Sequence, residues 1–124
     1  MTDKDLAEIK TKIDEWAAQC DREFAARLIE TFLGDVPKRL TTLRQAFEQG
    51  AQDEFKRAAH TLKSSSGQLG MSFYAEVAMR VELAARDGRM AEMAESVSWL
   101  EIEFPSLRDG LQTLRTSYAG APAN

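Results

Sequence analysis

The sequence has little of the chemistry on which disulfide-rich proteins and metalloproteins depend. Its 124 residues include one cysteine, Cys20, and one histidine, so the chain can form neither an internal disulfide nor a cluster of thiolate and imidazole metal ligands. No apolar run approaches the roughly 20 residues that span a bilayer. The N-terminus, MTDKDLAEIK, is too highly charged for a secretory signal. These absences predict a cytoplasmic protein with no membrane association.

The chain also lacks an excess of positive charge. Sixteen Lys and Arg residues stand against twenty Asp and Glu residues, for a net charge of −4. Binding to nucleic acid depends on a basic surface that displaces counterions, so this balance argues against a general nucleic-acid partner. With 44% hydrophobic residues, the chain is long enough to bury one core.

Strand patterns are nearly absent, and apolar residues recur at spacings of three and four throughout. This periodicity predicts an all-α protein, an antiparallel four-helix bundle with an additional N-terminal helix or helices. The predicted helices are 4–18, 21–33, 37–49, about 53 to 67 or 70, 72–87 and 90–118. Residues 1–118 would form one domain, followed by a flexible tail at 119–124.

Local signals set the predicted helix ends. Asp21 is expected to cap the second helix and Ser72 the fifth. Gly34-Asp35 is expected to interrupt the chain, so that Pro37 begins a separate third helix. Pro105 should kink the last helix near residues 101–105, because proline lacks a backbone donor.

The single histidine lies in the segment AAHTLKSSSGQLG, residues 58–70. At about 100° per residue, His60 falls roughly 140° from Phe55 on the helical wheel. The apolar stripe on the other side is Phe55, Ala58, Ala59, Leu62, Ser66 and Leu69. We therefore expect His60 to face solvent or the flank of the bundle and not the core.

The residues on the histidine's side of the wheel are cationic or very small. They are Lys56, Arg57, Lys63, Ser64 and Gly67. The cations would give an acidic protein a local positive surface, while Ser64 and Gly67 would leave a flat surface open to another macromolecule. A solvated helix face without a function would look the same, so this pattern alone leaves both interpretations open.

Independently of the helical wheel, the sequence of this segment resembles that of the histidine-containing phosphotransfer (HPt) domains of multistep two-component phosphorelays. The matching positions are His60, Leu62, Lys63, Ser64-Ser65-Ser66, Gly67 and Gly70. Upstream, LIETFLGDVPKRLTTLRQAFEQGAQDEFKRAAHTLK resembles the two helices that lead into the family's histidine helix, and VELAARDG resembles the end of the next helix. The resemblance covers roughly residues 24–116.

The resemblance implies a phosphorelay carrier and not a turnover enzyme. Nε2 of His60 would accept a phosphoryl group from a receiver-domain phosphoaspartate and pass it to another receiver, while Lys63 would stabilise the phosphoryl oxygens. Glu82 occupies the position that orients the imidazole in this family. Ala75 and Met79 share the side of Glu82 and are expected to join Lys56, Arg57, Ser64 and Gly67 in binding partners.

The expected partners are receiver domains of response regulators and of a hybrid sensor kinase. The chain would need no cofactor of its own, since Mg²⁺ belongs to the receiver, and it is expected to be a monomer. Met1 and the N-terminal helix favour a freestanding protein. Ser64 departs from the glycine usual after the family's lysine; serine is small enough to keep close approach of a partner, and the change leaves open a difference in binding affinity or partner preference.

Three alternatives differ in class. A di-iron bundle enzyme needs two Glu-x-x-His motifs, which one histidine cannot supply. A hydrolase with Ser64 as nucleophile and His60 as base has no visible oxyanion donors. A helical adaptor that binds receiver or kinase domains without carrying phosphate stays open, although His60 and Lys63 would then have no evident use.

Overall fold

The computed structural model describes residues 1–119, which form five α-helices. They are α1 (Asp3–Gln19), α2 (Arg22–Gln49), α3 (Gln52–Gln68), α4 (Ser72–Arg86) and α5 (Ala94–Ala119), with a short 3₁₀-helix at Met90–Met93. The described residues contain no strand. Helix α3 packs between α2 and α4, α5 packs against α2 and α4, and α1 packs on α2. The predicted all-α bundle with an additional N-terminal helix is confirmed.

Helix α2 corrects the predicted interruption at Gly34-Asp35. It continues for 28 residues through both Gly34 and Pro37, so the predicted second and third helices are one. Pro37 is on the exposed face, while the apolar residues on either side of it face the core without a break in spacing. Those buried residues are Ile29, Phe32, Val36, Leu40 and Leu43. Burial of each contributes about 1.5–3 kcal/mol, which together exceeds the roughly 4 kcal/mol cost of one glycine and one proline.

The helix ends match the predictions in part. Asp21 caps α2 by accepting a hydrogen bond from the Phe24 backbone N–H at 2.7 Å, as expected. Gly50 ends α2 with φ +68°, a left-handed conformation that glycine adopts without strain. The predicted Ser72 cap is wrong: Met71 is at the cap position, and the Ser72 hydroxyl donates instead to the Glu8 carboxylate of α1.

The last helix begins later than predicted. Residues 90–93 form the 3₁₀-helix, and α5 then runs from Ala94 past Pro105 to Ala119 as one helix. The kink expected near residues 101–105 stays a prediction. The predicted tail, apart from Ala119 at the end of α5, lies outside the described residues. None of the described helices is both long enough and apolar enough to cross a membrane.

Helix α1 closes one end of the α3–α4 pair. The Trp16 indole N–H donates to the Gln68 carbonyl at 2.8 Å, which gives a partner to a carbonyl at the C-terminus of α3. Gly70, in the following turn, has φ +75°, and a Cβ there would lie 2.8 Å from the Cβ of Lys12. The turn therefore requires glycine both for its backbone conformation and for the close approach of α1.

Candidate functional site: an exposed histidine on the α3–α4 face

His60 lies in the middle of α3, with 58% of its side chain exposed. The stripe predicted on the other side of the helix, from Phe55 through Leu69, is buried. Because those residues anchor α3 in the core, the orientation of the histidine is fixed by packing that does not involve the imidazole. The prediction that His60 faces away from the core is confirmed by its position.

Glu82 on α4 contacts the imidazole directly. Its Oε2 lies 2.7 Å from Nδ1 of His60, and its side chain is only 18% exposed. An ionised carboxylate can only accept hydrogen bonds, so this contact requires the proton to be on Nδ1. In the neutral ring, Nε2 then carries the free lone pair. The sequence placed Glu82 beside His60 through the family resemblance, and the structure brings the two together.

The second oxygen of the same carboxylate contacts Lys63. The Lys63 Nζ lies 2.8 Å from Oε1 of Glu82, so one carboxylate joins the ammonium and the imidazole. Burial alone would raise the pKa of Glu82, but hydrogen bonding and charge attraction from Lys63 and His60 outweigh it and lower the pKa below its ordinary value of 4.5. The sequence predicted a role for each of these residues but did not predict the pairing of Lys63 with Glu82.

The small residues beyond His60 form the exposed surface that was expected. Ser64 and Gly67 are both exposed. A Cβ built on Gly67 would have no described neighbour within 4 Å outside its own helix backbone, and its φ is not positive. Neither packing nor backbone conformation therefore requires a glycine at this position, in contrast to Gly70.

Two of the predicted cations, Lys56 and Arg57, lie on the same helix as His60, towards its N-terminus. Lys56 is half-buried and Arg57 is exposed. Arg57 also lines a polar groove of about 330 Å³ between α3 and α2, which Arg39 of α2 lines as well. Arg39 was not predicted to lie near this face, because a helical wheel of α3 gives no information about which residues of α2 lie beside it.

On the other side of His60, α4 presents apolar side chains. Ala75 is half-buried and Met79 is 40% exposed, on the side of Glu82 as predicted. Leu83, which follows Glu82, is 38% exposed and was missed by the sequence analysis. Its spacing of four from Met79 could have indicated a shared face. Whether any of these residues binds a partner stays a prediction.

Within residues 1–119, no group of three or more His, Cys, Asp or Glu side chains is arranged to hold a metal ion. The chemistry available in the described site is that of one imidazole, oriented by a carboxylate and bordered by a lysine. Such a site can provide a nucleophile and an adjacent positive charge.

A four-helix core that presents one oriented histidine on an open face is the architecture of a phosphotransfer domain. The family model described as "Hpt domain" matches residues 27–117, which is most of the chain. The chain therefore belongs to the Hpt domain family and is a phosphotransfer protein of the phosphorelay type. Domains of this family interact with receiver domains. The matched region excludes α1.

One solved structure supports the fold. The chain is similar to histidine-containing phosphotransfer protein B (HptB) from Pseudomonas aeruginosa PAO1, with a TM-score of 0.79 and 24% sequence identity. The alignment covers 95% of this chain and 96% of that one, so it includes α1 as well as the bundle. A search of curated proteins finds no match.

Proposed function

We propose that His60 is the phosphorylated residue and that it carries a phosphoryl group between two receiver domains. In the forward step, the Nε2 lone pair attacks the phosphorus of a receiver phosphoaspartate. An N–P bond forms, the acyl phosphate P–O bond breaks, and the aspartate leaves as a carboxylate. Attack by an aspartate of the second receiver on the phosphohistidine then restores the free imidazole.

The observation that carries this proposal is the 2.7 Å contact between Nδ1 of His60 and Oε2 of Glu82 on an imidazole that is 58% exposed. The contact holds the proton on Nδ1 and leaves Nε2 available as the nucleophile. The carboxylate is negative, so it also stabilises the positive charge that the ring acquires as the N–P bond forms. Such stabilisation matters because catalysis of phosphoryl transfer depends chiefly on positioning and electrostatics.

Lys63 would contribute to the proposed transfer through its ion pair with Glu82. Its ammonium neutralises one carboxylate oxygen and brings positive charge to within one helical turn of the imidazole. Positive charge there favours the approach of an anionic phosphoryl group. The Mg²⁺ that such transfers use would be held by the receiver, so the protein would need no cofactor of its own. We further propose that the protein is a cytoplasmic monomer whose partners are the receiver domains of response regulators and of a hybrid sensor kinase.

A helical adaptor that carries no phosphate is the competing function. An adaptor would explain a flat docking surface. Binding alone, however, would not require an imidazole whose tautomer is fixed by a half-buried carboxylate. The observation that separates the two functions is therefore a covalent one, the appearance of phosphate on His60.

The test is incubation with a receiver domain carrying ³²P-phosphoaspartate. The wild-type protein should acquire label that is stable to alkali and labile to acid, as expected of phosphohistidine. His60→Gln should acquire none while keeping the helical circular dichroism of the wild type, since residue 60 lies off the core stripe. Labelling of His60→Gln, or a wild type that binds receivers but is never labelled by them, would overturn the proposed function.

A further inference from the structure

Aromatic side chains fill the space between α4 and α5. These two helices pack less closely than the other adjacent pairs of the four-helix core, which are α2 with α3, α3 with α4 and α2 with α5. Phe73 and Tyr74 of α4 both contact Trp99 of α5, with ring centroids 6.4 and 5.8 Å from that of the indole. Tyr74 is buried, whereas Phe73 and Trp99 are half-buried and line a surface groove of about 460 Å³. We call it the α4–α5 groove.

The groove is on the opposite side of α4 from the carboxylate that contacts His60. At about 100° per residue, Phe73 and Arg80, which both line the groove, fall roughly 180° and 160° from Glu82 on the wheel of α4. The helices that pack closely on the histidine helix are α2 and α4, whereas the other wall of the groove belongs to α5. A molecule bound in the groove would therefore leave His60 open to a second partner.

The bottom of the groove is apolar. Val77 is buried beneath it, and the half-buried rings of Phe73 and Trp99 border it. Ile102, three residues after Trp99 on α5, is 72% exposed and continues the apolar surface beyond the groove. Single exposed apolar residues carry no meaning alone. Partly covered aromatic rings beside a concave apolar surface, however, are typical of the anchoring sites of protein interfaces.

The rim of the groove carries a net negative charge. Glu76 borders it from α4 and Glu95 from α5, while Arg80 is the one cation among the described lining residues. All three are exposed, and within residues 1–119 none of them forms an ion pair. Carboxylates on both sides of the groove favour a positively charged partner. The faces of the aromatic rings attract cations as well.

We propose that the α4–α5 groove binds a basic amphipathic helix of another protein. An apolar side chain of that helix would lie between Phe73 and Trp99, and Lys or Arg side chains beside it would face Glu76 and Glu95. A helix fits because a groove between two helices accepts one apolar stripe flanked by charges. The bound protein would stay attached while His60 is used on the other side of α4. The inference does not rest on the proposed function.

The test uses three synthetic peptides of about 14 residues, or four helical turns. The first is an amphipathic helix with Leu on one face and Lys on the other. The second has Glu in place of Lys, and the third has the composition of the first in a scrambled order without an apolar stripe. Titration of the ¹⁵N-labelled protein, followed by NMR, gives the Kd for each peptide and the residues that it reaches.

We expect the basic amphipathic peptide to bind about tenfold more tightly than either of the others, because only it matches both the apolar bottom and the carboxylates. The Trp99 indole N–H resonance should shift on binding, and the resonances of His60 and Lys63 should not. Glu76→Lys and Glu95→Lys should each raise the Kd about threefold to tenfold. The matched control is Glu48→Lys, which makes the same charge change on the exposed face of α2 and should alter the Kd less than about twofold.

Several results would overturn the inference. Equal binding of the scrambled peptide, or an equal loss of affinity in Glu48→Lys, would indicate general attraction between a basic peptide and an acidic protein. Tighter binding of the acidic peptide would show that the carboxylates do not select the partner. A Trp99 resonance that shifts with protein concentration alone, together with sedimentation as a dimer, would show that a second copy of the chain covers the groove. Shifts confined to His60 and Lys63 would place the peptide on the other side of α4.

Discussion

Lys63 and Glu82 form an ion pair between α3 and α4, with Nζ 2.8 Å from Oε1, while the other oxygen of that carboxylate is 2.7 Å from Nδ1 of His60. The three side chains are therefore connected in series, with the carboxylate in the middle. A change to Lys63 reaches His60 through Glu82, whatever contact the lysine makes with a phosphoryl group. The first two predictions separate these roles.

Replacement of Glu82 should show how much the fixed tautomer of His60 contributes to the rate of phosphorylation. Glu82→Ala removes the acceptor for Nδ1–H, whereas Glu82→Gln keeps an amide oxygen that can accept the same hydrogen bond. We expect phosphorylation by phosphoramidate to slow about tenfold in Glu82→Ala, as for loss of roughly 1.5 kcal/mol of charge-assisted hydrogen bonding, and to slow less in Glu82→Gln. ¹⁵N NMR of the imidazole should show a smaller Nδ1–H fraction in Glu82→Ala. An unchanged tautomer ratio and rate would contradict the orienting role.

Replacement of Lys63 by Ala should slow transfer or shorten the lifetime of phosphohistidine without preventing receiver binding. A double-mutant cycle with Glu82→Ala shows whether Lys63 acts on His60 through Glu82 or acts directly on the phosphoryl group. If Lys63 acts only through the carboxylate, adding Lys63→Ala to Glu82→Ala will change nothing further. If it also stabilises the phosphoryl oxygens, the double variant will hydrolyse its phosphohistidine faster than Glu82→Ala alone. Wild-type rates of both transfer and hydrolysis in Lys63→Ala would exclude both roles.

Stability should depend on the ionisation of Glu82. Its pKa is lowered in the folded protein from the ordinary 4.5, so folding favours the ionised form. The resulting stabilisation is present above about pH 4.5 and is lost as the pH falls through the lowered pKa. Urea unfolding of the wild type and Glu82→Gln from pH 3 to 7 should show a wild-type advantage that shrinks below about pH 4.5. A difference that does not vary with pH would contradict this prediction.

Two glycines near the end of α3 should respond oppositely to alanine. Gly70→Ala places a Cβ at φ +75° and 2.8 Å from the Cβ of Lys12, so the free energy of unfolding should fall by about 1–3 kcal/mol. Gly67→Ala adds a Cβ in open space on a helix, so it should leave stability unchanged or raise it by up to about 1 kcal/mol. Urea unfolding measures both. Equal losses in the two variants would show that the close packing of α1 against Gly70 is unimportant for the free energy of unfolding.

Bulk on the exposed face of α3 should block receivers while the fold stays intact. Gly67→Gln and Ser64→Gln add side chains beside His60, and glutamine is a good helix former. We expect a large loss of transfer from a phosphorylated receiver and little loss with phosphoramidate, because small displacements of the reacting atoms are costly. Normal receiver transfer in both variants would mean that the docking surface does not include this face.

The position of His60 was predictable because α3 has an uninterrupted apolar stripe, and a helical wheel needs nothing more to show which side is buried. The contact with Glu82 was predictable only through the family resemblance, since the alignment of α3 with α4 is set by packing between helices. The pairing of Lys63 with Glu82 was missed for the same reason. A wheel gives the direction of a side chain but not which group on another helix it reaches.

The wrong predictions share a different cause, which is that local preferences were outweighed by tertiary contacts. Gly34 and Pro37 favour a break, yet the apolar spacing from Phe32 to Leu40 continues across them and burial keeps α2 intact. Ser72 favours a cap, but its hydroxyl is used by Glu8, which is 64 residues away in the chain. Nothing in the sequence near position 72 could have indicated that contact.

The contact between Trp16 and Gln68 gives the protein an intrinsic optical probe. The chain has two tryptophans, and the second, Trp99, lies in an aromatic cluster with Phe73 and Tyr74 between α4 and α5. In a Trp99→Phe variant, fluorescence emission would come from Trp16 alone, whose indole N–H is bonded to the last residue of α3. Any loosening of α1 from the end of the histidine helix would change the hydrogen bonding of that indole. It could therefore be followed by emission wavelength, without a label, during receiver binding or phosphorylation.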